Sequence, residues 1–128
     1  MKKLVFLLLA VLLLTACEQD KENDRGAVYV NITAEEAKQI MDSEEGYIIL
    51  DVREQDEYDA GHIPGAILIP YTQITEKAEE VLTEKDQLIL VYCRSGRRSK
   101  IAAEALVELG YTNIKEFGGI IDWPYEVE

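Results

Sequence analysis

The chain has 128 residues, enough for one domain with a real core and too few for two. Its formal charge is −12, from 13 basic and 25 acidic side chains. So acidic a body repels phosphate backbones, which excludes nucleic acid as a partner and makes any local cluster of arginines informative. The two cysteines, Cys17 and Cys93, form no CxxC pair, and no His/Cys cluster exists. A structural zinc site or dithiol chemistry is therefore not expected.

Residues 1–17 begin with Lys2 and Lys3, continue through the apolar run 4–14, and finish Leu14-Thr15-Ala16-Cys17. That run is well short of the ~20 residues a membrane-crossing helix needs. A charged start, a short apolar stretch and small residues at a cleavage point describe a secretory leader. The tail resembles the lipobox of bacterial lipoproteins. That resemblance implies a signal peptide over residues 1–16, cleavage before Cys17, and diacylation of Cys17. The domain would then be lipid-anchored in a bacterial cell envelope, facing outside the cytoplasm. A plain signal peptide or uncleaved anchor with a chance cysteine is the alternative. Residues 18–27, EQDKENDRGA, are charged and lack any apolar period, so 17–27 is expected to be a flexible acidic tether. Its ten flexible residues would reach roughly 17 Å.

The folded domain is expected over residues 28–128. Residues 28–32 read as a short strand, and Thr33 with Glu36 fits a capping box opening a helix to about Met41. Residues 47–52 form an apolar run of the kind that makes a central parallel strand. Residues 54–59 fit a single helical turn, 61–65 a loop, 66–69 a strand, and 75–82 a charged helix. The run 88–92 is the most apolar and should be the middle of the sheet. A helix follows over 99–109 with Gly110 just past its end, then a strand over 113–117, a turn at Gly118-Gly119, and a terminal turn carrying Trp123. Alternating strands and helices predict a three-layer α/β/α domain with a mostly parallel central sheet, expected to be a monomer.

Between strand 88–92 and helix 99–109 lies Cys93-Arg94-Ser95-Gly96-Arg97-Arg98. A short loop there aims backbone N–H groups into a small bowl, and the helix N-terminus adds partial positive charge. A sulfur at its head is expected to favour the thiolate, and the arginines to grip an anion through forked hydrogen bonds. Arg94 and Arg98 should face the site, whereas Arg97 is open. Ser99 is either the helix N-cap or a hydroxyl on the sulfur. Against this, Cys93 could be an inert apolar residue, Gly96 an ordinary turn glycine, and the arginines solvated surface charges.

Asp51-Val52-Arg53-Glu54, Glu57-Tyr58, Gly61-His62-Ile63-Pro64-Gly65-Ala66, Tyr92-Cys93-Arg94-Ser95-Gly96-Arg97-Arg98-Ser99 and Gly118-Gly119 with Trp123 occur in that order. In this the chain resembles a single-domain rhodanese, a sulfurtransferase, over the whole predicted domain. The resemblance implies that Cys93 takes a sulfane sulfur from a small anionic donor such as thiosulfate and becomes a persulfide. The sulfur then passes to a thiol or cyanide, and no metal or organic cofactor is required. It also implies a persulfide-binding loop from Arg94 to Ser99. Asp51 and Arg53 are expected to form a charged network at the C-terminal end of a strand, and because ligands bind at that end of open parallel sheets, Arg53 is also a candidate for the pocket rim. A Cys93-His62-Asp51 triad is the tempting misreading, because His62 belongs to a turn in sequences of this type. A cysteine phosphatase is less well matched: its Cys-x5-Arg loop would place arginine where Ser99 stands. A persulfide carrier or thiol sensor that docks a partner protein without turnover is the remaining alternative.

Overall fold

In a computed structural model the described residues are 28–128, so the expectations for the leader, Cys17 and the tether lie outside them. The elements run β1 (Val30–Asn31), α1 (Ala34–Ser43), β2 (Ile48–Asp51), α2 (Gln55–Ala60), β3 (Ile67–Leu68), a 3-10 turn (Tyr71–Gln73), α3 (Ile74–Val81), β4 (Ile89–Cys93), α4 (Arg97–Glu108), β5 (Ile114–Gly119) and a second 3-10 turn (Ile120–Asp122). The five strands form one sheet in the order β1-β5-β4-β2-β3, and every pair is parallel.

Side chains alternate across β4 and divide the core in two, as a period of two requires. Ile89, Val91 and Cys93 pack with Ile74, Ala78 and Leu82 around α3 and with Ala102, Ala103 and Leu106 of α4. Leu90 and Tyr92 pack on the other face with Ala37 of α1, Ile63, Phe117 and Trp123. Full burial of a leucine such as Leu90 contributes ~1.5–3 kcal/mol, which is why the apolar run could only be the central strand. The layers are thus helix, sheet, helix.

Local chemistry sets the helix ends. Thr33 Oγ1 accepts the Glu36 N–H at 3.0 Å while Glu36 accepts the Thr33 N–H at 2.9 Å, the capping box read from sequence. At the end of α4 the Gly110 N–H donates to the Val107 carbonyl and the Tyr111 N–H to that of Leu106, closing the helix in a Schellman pattern.

Three expectations are corrected. Helix α4 starts at Arg97, two residues before Ser99, so Gly96 occupies the N-cap position and Ser99 lies inside the first turn. Gly118 and Gly119 are the end of β5 instead of a turn. They stay in the strand because β4 and β5 slip register there: Val91 pairs with Glu116, but Cys93 pairs with Gly119. That irregularity places two residues of β4 beside three of β5, a bulge that re-aims neighbouring groups. Third, β1 is two residues long, shorter than the strand expected over 28–32.

Candidate active site

Cys93 ends β4 at the carboxyl edge of the sheet, where parallel α/β sheets bind ligands. The chain turns through Arg94 and Ser95, both exposed, to Gly96 at φ +111°. Glycine enters that left-handed region without the Cβ penalty, so the turn closes and α4 begins at once. The Arg94 carbonyl packs on the end of β5 and accepts the Ile121 N–H at 3.2 Å. A Cβ on Gly119 would stand 1.9 Å from that carbonyl oxygen, so a bare Cα is what lets the loop lie down against the sheet.

Cys93 is 1% exposed, yet the contacts of its sulfur are not all apolar. The Gly96 N–H donates to Cys93 Sγ at 3.0 Å, and Ser99 Oγ lies 3.4 Å away. Of the loop amides, Gly96 is the one hydrogen-bonded to the sulfur among the described residues. The ring of amides expected from sequence therefore closes on the sulfur with a single N–H, helped by the N-terminus of α4.

The arginines divide. Arg94 projects from the loop exposed. Arg97, also exposed, has its guanidinium 5.9 Å from the centre of the Tyr71 ring. Arg98, expected to face the site, is bound through both nitrogens to Glu57 of α2, at 2.9 and 3.0 Å. That bond is the main reason its guanidinium holds its proton above the ordinary range. The same bond pulls Glu57 down to about 2.

Arg53 is 5% exposed and forms with Asp51 the charged network expected at the strand end, so it does not stand at the rim. It binds Asp51 through Nε and Nη2 at 2.7–3.1 Å and donates to the Gly61 carbonyl. Asp51 also accepts the Tyr92 hydroxyl at 2.7 Å. Burial first, and then that carboxylate, hold the Tyr92 phenol well above its ordinary range. His62 stacks on Tyr58 at 3.7 Å and its Nδ1 contacts the Tyr58 carbonyl. No hydrogen bond joins His62 or Asp51 to Cys93 among the described residues, so the triad does not assemble.

One residue at the site went unread in the sequence. Glu116 of β5, 1% exposed, binds the Ser99 hydroxyl, the Gly118 N–H at 3.0 Å and Lys100 Nζ at 3.3 Å. Its burial was hidden because acidic residues abound here, and only the packing of β5 under α4 sets this one apart. The residues described contain no group of three or more His, Cys, Asp or Glu that could hold a metal ion. A groove of about 320 Å³ between Val28, Tyr29, Glu104, Val107 and Glu108 does not include Cys93.

The rhodanese-like domain profile matches residues 33–124. The chain is 41% identical over 98 residues to YrkF of Bacillus subtilis (strain 168), a protein whose name marks it as a candidate sulfur carrier. The match covers 76% of this chain and 52% of YrkF, about half the relative's length. It is 38% identical over 73 residues to the thiosulfate sulfurtransferase PspE of Escherichia coli (strain K12), covering 57% of this chain and 70% of PspE. Among solved structures, a rhodanese with anions from E. coli superposes with a TM-score of 0.60 at 34% identity, over 64% of this chain and 96% of that one.

Proposed function

The chain belongs to the rhodanese-like domain family, and from that premise we propose that it is a sulfurtransferase working through a Cys93 persulfide. The sulfur of Cys93 attacks the sulfane sulfur of an anionic donor such as thiosulfate, and sulfite leaves with the bonding electron pair. The terminal sulfur of the persulfide then passes to a thiol in the cell, or to cyanide in an assay. One observation supports this most: the Gly96 N–H points at Cys93 Sγ from 3.0 Å, at the N-terminus of a twelve-residue helix. An N–H so placed stabilises negative charge on a nucleophilic sulfur and on the persulfide that replaces it. Exposed Arg94 and Arg97 supply positive charge for the donor.

Two other readings remain distinct. The likeness to YrkF favours a carrier that takes up one sulfur and hands it to a partner protein. In the third reading, a phosphatase, the bowl is one residue short: Arg98 follows Cys93 a position early, and its guanidinium is engaged by Glu57. Incubation with thiosulfate and cyanide separates them. Steady thiocyanate release indicates an enzyme, one equivalent of trapped persulfide a carrier, and hydrolysis of an aryl phosphate a phosphatase. Cys93→Ser should abolish thiocyanate release and leave the melting temperature near that of the wild type. Unchanged release by that variant refutes the assignment.

The proposal extends to location. Lys2, Lys3, the apolar run and Leu14-Thr15-Ala16-Cys17 support export and lipidation at Cys17. A single acyl chain gives only marginal membrane binding, so two or more on Cys17 suit a stable anchor.

A further inference from the structure

Glu116 is a buried acid that joins the end of β5 to the start of α4 through Gly118, Ser99 and Lys100. Burying a carboxylate is costly unless it is fully paired. Here the one cation on it among the described residues is Lys100, itself half-exposed, at 3.3 Å. Strand β1, beside β5, presents Val30 and Asn31 and nothing titratable. Arg98 is engaged by Glu57. The remaining neighbours are Gly118, whose N–H binds Oε2, and Ser99.

Ser99 carries the argument. A hydroxyl has one proton to give and two lone pairs. Three acceptors surround Ser99 Oγ: the Gly96 carbonyl at 3.1 Å, the Gly118 carbonyl at 3.5 Å and Glu116 Oε2. A carboxylate oxygen accepts more strongly than a carbonyl, so the proton goes to Glu116. Ser99 then turns a lone pair towards Cys93, whose S–H donates to it at 3.4 Å. The result is an unbroken path from thiol to hydroxyl to carboxylate, closed off from solvent at all three members.

We infer that Glu116, acting through Ser99, receives the Cys93 thiol proton when the sulfur attacks and returns it when the persulfide is discharged. The inference rests on the sulfur-transfer reading above. As Cys93 Sγ bonds to the sulfane sulfur, its S–H bond breaks and the proton moves to Ser99 Oγ. The Ser99 proton moves to Glu116 Oε2, and the donor's old S–S bond breaks with its electron pair leaving on sulfite. The charge lost at the carboxylate equals the charge gained on the persulfide, so the buried site keeps its net charge. On discharge, the terminal sulfur bonds to the acceptor. The Cys93–sulfur bond breaks with its electrons on Sγ, and the proton retraces the path. Ser99 touches the reacting sulfur, and Glu116 is a positioning residue behind it.

The test is the pH dependence of Cys93 alkylation by iodoacetamide in the full chain, which needs no sulfur-transfer activity. In the wild type the relay removes the proton, so the rate stays level between about pH 6 and 8, whereas Glu116→Gln makes it climb roughly tenfold per pH unit. Ser99→Ala cuts the path and leaves the carboxylate, and gives the same climb, which keeps the test open if Glu116→Gln does not fold. A wild type that climbs as steeply, or variants that keep the level profile and merely scale the rate, overturns the relay. A level profile without thiocyanate release sinks the sulfur-transfer reading and leaves the relay standing. Thiocyanate release with a climbing wild-type profile does the reverse.

Discussion

At Cys93 one backbone amide, that of Gly96, makes the hydrogen bond to the sulfur that the sequence expected from several, and Ser99 Oγ stands beside it. Arg98 is committed to Glu57, and Arg53 to Asp51, which leaves Arg94 and Arg97 as the site's guanidiniums without an ion pair among the described residues. What holds the loop over the sulfur is the close approach of the Arg94 backbone to Gly119, whose φ of −129° any residue could adopt. Gly119 is therefore there for space. An added Cβ meets backbone carbon and oxygen within 2.5 Å, and neither can swing aside as a side chain would. Gly119→Ala is expected to destabilise the domain by ~1–3 kcal/mol, as overpacking does, and to depress sulfur transfer by displacing the loop. A variant matching the wild type in both urea midpoint and rate would show that the contact is unimportant.

The Asp51–Arg53 and Glu57–Arg98 ion pairs differ in depth. Asp51 at the end of β2 is fully buried, and it satisfies Arg53, the Arg53 N–H and Tyr92 of β4 at once. Removing it strands a buried guanidinium, so Asp51→Ala should cost ~3–5 kcal/mol, a large part of a domain's stability. A urea titration losing less than ~1 kcal/mol would mean that water reaches Arg53. The Glu57–Arg98 pair joins α2 to α4 nearer the surface, with side-chain exposures of 26% and 18%. Glu57 titrates at about 2 in the fold against an ordinary 4.5. A depressed carboxyl stabilises the fold above its unfolded value and loses that contribution as pH falls through its folded one. The pair's stabilisation is thus present from about pH 4.5 upward and disappears towards about pH 2. Partial exposure discounts it to ~1–2 kcal/mol. Glu57→Gln should fall short of the wild type by that amount in neutral melts and converge with it near pH 2. A constant gap at both pH values would place the effect elsewhere.

For the whole molecule, the proposed lipid anchor would keep an acidic domain beside a membrane on a tether of roughly 17 Å. Intact mass of protein extracted from bacterial membranes checks it. The expected mass begins at Cys17 and carries added acyl groups, while an unmodified N-terminus, cleaved or not, rules lipidation out. Against a formal charge of −12, the exposed Arg94 and Arg97 form a local positive spot that would draw the anionic donor proposed above.

The sequence by itself determined the order of elements, because local signals carry it: the Thr33–Glu36 capping box, the wholly apolar run of β4, and the glycine that closes α4. It also placed Cys93 at a strand end before a helix, since a motif of contiguous residues needs no distant partner to be read. Tertiary structure alone decided which charges meet. The register slip beside Cys93, the pairing of Arg98 with Glu57 forty-one positions away, and the burial of Glu116 against Ser99 arise only when β5 packs between β1 and β4 and beneath α4. Among 25 acidic residues nothing local distinguishes Glu116, because burial belongs to the packed whole.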